Sequence, residues 1–111
     1  MNAKILLRTI KDLDGLETEL GNKSIPFRIF EDKMEAKIEY SDIDIFGEVI
    51  KKHLNALCNY VNVKFPERQL NVIIFPEKNF IVNSKQTDRN AKEWALSVGL
   101  PQPETEWTTF Y

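Results

Sequence analysis

This 111-residue chain has little of what usually carries chemistry. It holds one cysteine, Cys58, and one histidine, His53. A lone cysteine forms no internal disulfide, so nothing in the chain requires an oxidising compartment. One histidine and one cysteine are too few for a zinc site unless carboxylates complete it. There are only four glycines, and no Gly-rich phosphate loop, Gly-x-Ser-x-Gly elbow or His-Glu-x-x-His motif occurs. Long hydrophobic runs are missing too. The apolar stretch after the first residues is Ile5-Leu6-Leu7, closed by Arg8, too short for a signal-peptide core or a membrane span. The expectations are no cofactor, no metal, no membrane partner and a cytoplasmic location.

What is there suits a folded domain. At 42% hydrophobic and 29% charged residues, the composition is that of a globular chain, and one of this length buries roughly 65% of its unfolded surface. Residues 1–101 read as a single α+β domain and 102–111 as an extended tail. Lys4 to Thr9 is a first strand. Asp12 is a helix N-cap, followed by Leu13, Leu16 and Leu20 on one face, with Gly21 as a stop. Pro26 opens a strand carrying Phe27 and Ile29 on one side, and Glu31-Asp32-Lys33 turns it into Met34–Tyr40. There Met34, Ala36, Ile38 and Tyr40 alternate with Glu35, Lys37 and Glu39, which gives one buried and one wet face.

Ser41 then reads as the cap of a long helix, Asp42 to Val63, with Phe46, Ile50, Leu54, Leu57, Val61 and Phe65 at spacings of three and four. Pro66 ends it. Leu70 to Phe75 is nearly all apolar, the mark of a strand buried on both faces or of an interface strand. Phe80–Val82 is a last strand. Thr87 caps a final helix bearing Ala91, Trp94, Ala95 and Val98. The order is β-α-β-β-α-β-β-α, a mainly antiparallel sheet with helices on one face. Its first six elements match a variant of the ferredoxin-like arrangement. That arrangement leaves one sheet face open, yet Leu70–Phe75 is apolar on both. Either the last helix and tail cover the second face, or another chain does.

Charge is uneven along the chain. Asp12 to Glu48 sums to −7 and Val49 to Lys92 to +5, within a total of −2. Solvated faces of mixed sign are the ordinary outcome; a bipolar surface that docks a basic partner or its own copy is the sharper one. Nucleic acid is not expected, because the wet side of Met34–Tyr40 shows two carboxylates and no aromatic ring, and the isoelectric point is near 5.4. The basic residues Lys78, Lys85, Arg89 and Lys92 suit a solvated helix face and loop.

The candidate sites are few. His53 lies at the margin of the helical stripe, where it would bond a backbone or carboxyl group. An enzymatic reading pairs it with Asp44 or Glu48, although carboxylates in the first turns of a helix are also favoured by its dipole. Cys58 falls about 140° around a helix from His53, which makes no Cys–His dyad. The tail has three aromatics, Trp107, Phe110 and Tyr111, suited to covering the chain's own sheet or to anchoring a contact. With Ile73 and Phe75 they form a candidate interface for a homodimer. The leading expectation is a non-enzymatic binding or regulatory module that self-associates. The alternatives are a small enzyme using His53, and an immunity-type inhibitor presenting an acidic surface to a basic protein.

Overall fold

The computed structural model describes residues 2–101 and Trp107. Strand β1 (Asn2–Leu6) passes through a short 3-10 turn into helix α1 (Leu13–Asn22). The hairpin β2 (Phe27–Phe30) and β3 (Lys33–Lys37) follows, then α2 (Ile43–His53). Three strands come next, β4 (Val61–Phe65), β5 (Leu70–Ile74) and β6 (Asn79–Val82), and α3 (Lys85–Ser97) closes the described domain. The fold is α+β, with two antiparallel three-stranded sheets.

The first sheet has the order β1-β3-β2, with both outer strands antiparallel to β3. β1 and β2 therefore run the same way, and α1 connects them across β3, a split β-α-β unit. Asp12 starts α1 by accepting a bond from the Gly15 N–H at 3.1 Å, satisfying one of the donors a helix start leaves open. The helix runs one residue past Gly21, and the left-handed position that turns the chain is Ser24, at φ 58. The β2–β3 turn is Glu31-Asp32, with Glu31 also left-handed at φ 55.

The helix expected over Asp42–Val63 is half that length. Ser41 is not its cap. Glu39 and Asp42 cap a 3-10 turn, Tyr40–Asp42, reciprocally, and α2 continues from it to His53. Leu54 is then extended and bridges to Ile10. The Lys11 N–H takes the His53 carbonyl, and the Asn55 N–H and side chain bond the Thr9 and Arg8 carbonyls. Leu57, a member of the expected stripe, is 51% exposed. Val61–Phe65 is a strand because Val61, Val63 and Phe65 are all buried, with Asn62 and Lys64 between them. A spacing of four satisfies a period of 3.6 and a period of 2 alike. Val63 breaks the tie, since it would leave the helical stripe but lies on the strand's inner face.

This extra strand changes the topology. In a ferredoxin-like sheet the strand after the second helix pairs with β1. Here β4 lies alongside β1, while its ladder is with β5, in the meander β4-β5-β6. A left-handed Gln69, at φ 54, closes the β4–β5 turn.

Two cores share β5. Leu70, Val72 and Ile74 join the core under α1 and α2, together with Ile5, Met34, Leu16, Leu20, Phe46 and Ile50. Ile73 faces the other way, and with Phe75 it joins Val82, Ala91 and Ala95 under α3. The helices thus cover one face of the first sheet but both faces of the second. Gly47 lets α2 come close to that sheet, because a Cβ there would stand 3.0 Å from Asn79 Nδ2.

Candidate functional site

His53 is 7% exposed, at the end of α2. Its Nε2 lies 2.9 Å from Glu19 Oε1 on α1, and Lys52 Nζ reaches the other oxygen of the same carboxylate at 2.9 Å. The Lys52 ammonium, and after it His53, hold the Glu19 carboxyl below its ordinary pKa. The cluster joins the two helices. Asp44 and Glu48 have no part in it: both are exposed on α2, and Glu48 approaches Lys51 at 3.8 Å. His53 Nδ1 is buried without a hydrogen bond, so among the described residues no hydroxyl or thiol stands in position for it to activate. Cys58 belongs to the other core, beside Tyr60. Among the described residues no three His, Cys, Asp or Glu side chains group as metal ligands.

Ile73 and Phe75 are fully buried within the single chain, under α3. They give no surface to a second copy, and the apolar outer side of β5 is explained without one. Trp107 is half-buried on the same core. Its indole N–H donates to Asp88 Oδ1 at 2.7 Å, and its ring meets Tyr60 edge-on at 5.6 Å. Phe110 and Tyr111 lie outside the described residues. Ser84, rather than Thr87, is the N-cap of α3, with Thr87 completing the reciprocal pair. Beside α3, Lys78 lies over the rings of Phe80 and Trp94 at 5.2 and 5.6 Å, along an open groove of about 560 Å³. Among the described residues no helix is long and apolar enough to cross a membrane.

Among the described residues no element covers the outer face of the first sheet. The register places three rows across it. Leu6, Lys33 and Phe30 stand side by side, then Lys4, Glu35 and Arg28, with Lys37 beyond Glu35 on β3. Glu35 is thus surrounded by four cations, two along its own strand and one on each neighbour. Arg28 contacts Glu35 at 3.4 Å and lies 5.3 Å from the Phe30 ring centre. Among the described residues no salt bridge engages Lys4, Lys33 or Lys37. Leu6 is 36% exposed and Phe30 42%. A shallow depression of about 270 Å³ runs along Pro26, Phe27, Arg28, Glu35 and Lys37.

The sign of this face differs from that expected for the acidic first half. Glu39, counted there as a strand residue, is folded into the cap before α2. Asp14, Glu17, Asp44 and Glu48 are on the two helices, which pack against the opposite side of the sheet. Of the two, α1 is acidic, with Asp14, Glu17 and Glu19, whereas α2 balances Asp44 and Glu48 with Lys51 and Lys52. No protein family, curated protein or solved structure matches the chain.

Proposed function

We propose that the protein is a non-catalytic binding module that engages an anionic partner through the open face of its first sheet. The carrying observation is the four cations around one carboxylate, a local charge of +3 in a chain whose total is −2. Side chains on flanking strands are held in register by the ladder, so the cations are presented together at no ordering cost to the backbone. The acidic helix α1 behind them, with Asp14, Glu17 and Glu19, disfavours an anion on the other side and favours approach to this face. What supports the non-catalytic part is that His53 is engaged by Glu19 between two helices.

Retention on a heparin column tests this reading. The double variant Lys4→Ala/Lys37→Ala is expected to elute at clearly lower salt than the wild type. Lys85→Ala/Arg89→Ala, which removes the same charge from exposed positions of α3, is expected to elute close to it. Equal losses in both variants would reduce the attraction to overall charge and refute a dedicated face.

Self-association is a second reading, supported by β2. It is an edge strand with Ile29 and Phe30 exposed, and such edges pair with other strands. Two copies joined along β2 would form one six-stranded sheet with a two-fold axis. Sedimentation at micromolar concentration should then give a dimer that Ile29→Lys converts to monomer. A wild-type monomer would rule the pairing out.

A further inference from the structure

We infer that the anionic partner is a single-stranded nucleic acid, read by stacking on Phe30 and by phosphate contacts to Lys4, Lys33 and Lys37. The inference rests on the binding-module reading above and adds the partner's chemistry.

Three observations on the face lead there. Neighbouring strands stand about 4.8 Å apart, and alternate residues along a strand about 6.7 Å apart. Lys33 is therefore within one strand spacing of Phe30, its direct cross-strand partner. A base lying on that ring would have its phosphate within reach of the ammonium. Lys4 and Lys37 continue the cationic track on the same face. Phe30 supplies what a simple basic patch lacks. The residue is 42% exposed, and Arg28 lies against its ring, a planar cation that itself stacks on bases. Aromatic platforms flanked by cations are how sheets hold unpaired bases. A duplex hides its base faces and offers Phe30 nothing. A carboxylate or a phosphate headgroup by itself would use the lysines but presents no planar face to the ring.

One carboxylate stands at the centre of the face. Glu35 has a side chain only 11% exposed and contacts Arg28. It holds the guanidinium beside Phe30, and the neighbouring Lys4 and Lys37 are exposed.

Fluorescence anisotropy with a labelled oligothymidylate of about 12 nucleotides tests the inference, alongside an oligouridylate and a duplex of the same length. At low salt the single strands should bind at micromolar protein and the duplex more weakly. With three phosphate contacts, the log–log salt slope for a single strand should be about −2. Lys4→Ala/Lys37→Ala should bring it to about −0.7, the value for one contact. Phe30→Ala should weaken single-strand binding by about tenfold or more and leave the salt slope unchanged. Far-UV circular dichroism checks that the variants fold. Lys37→Glu, at an exposed position, gives a second charge variant should the alanine pair misfold.

Three results would overturn it. The first is no single-strand binding by the folded wild type. The second is Phe30→Ala binding as tightly as wild type. The third is equal or tighter binding of a polyglutamate peptide or of vesicles containing phosphatidylserine. If heparin retention still depends on Lys4 and Lys37 in any of these cases, the binding-module reading stands and only the nucleic acid is wrong.

Discussion

Among the described residues no element covers the outer face of the first sheet, whereas α3 and Trp107 cover the outer face of the second. In the first, β3 alternates Met34 and Ala36 inward with Lys33, Glu35 and Lys37 outward. In the second, all five residues of β5 are buried. The difference shows how a sequence states the number of layers it will build: alternation means two, and a continuous apolar run means three. It also separates roles. The covered sheet spends none of its central strand on solvent, and the open one keeps a whole face available for contact.

The sharpest way to break this comparison is to truncate one ring on the outer side of each sheet. Phe75→Ala empties the core under α3 and should cost about 3–5 kcal/mol. Phe30→Ala removes a ring from the open face and should stay within about 0.5 kcal/mol of wild type. Urea melts followed by circular dichroism give both numbers. Similar losses would mean that the two outer faces are equally covered.

A smaller effect is expected at the cover itself. Trp107→Phe keeps a ring over the core but removes the donor to Asp88, a carboxylate that also contacts Lys92 at 3.0 Å. A bond to a charged group contributes about 1.5–3 kcal/mol, and the same melts should show a loss in that range. No measurable loss would detach Trp107 from the account of the second core.

The smallest effect concerns the α1–α2 contact. Glu19 titrates below its unfolded value because Lys52 and His53 bond its carboxylate. Its contribution is therefore complete above the unfolded-state pKa and is lost as pH falls through the lower native one. Glu19 is partly exposed, so solvent screens the gain. Stability measured from about pH 6 to pH 3 should fall less steeply in Glu19→Gln than in wild type. Parallel curves would show that the contact carries no proton linkage.

Much of the fold was legible where one physical signal acted alone. Asp12 capped α1 as read, the Glu31-Asp32 turn joined two strands, and the apolar run of β5 was buried on both sides. The reading failed where two periods coincided. Positions 57, 61 and 65 fit a helix, and only Val63 at the intervening place, with asparagines at 55, 59 and 62, spoke for an early end. Asparagine bonds nearby backbone and so weakens helices, and Asn55 is held outside the helix by the distant Arg8 carbonyl. The Glu19–His53 pair left no local trace, because its members are 34 residues apart. The basic face was hidden for the same reason. β3 alone shows only its own charges, while Lys4 and Arg28 reach Glu35 only through the ladder.

The position of the indoles has an optical consequence. Both tryptophans, Trp94 and Trp107, pack on the core beneath α3, and the core beneath α1 and α2 has none. Intrinsic emission excited at the indole band is thus a one-sided reporter. It responds to the release of α3 and is blind to events confined to the first sheet, while ellipticity sees both. Since β5 is the wall between the two compartments, superimposable emission and ellipticity transitions would mean that the wall transmits unfolding from one side to the other.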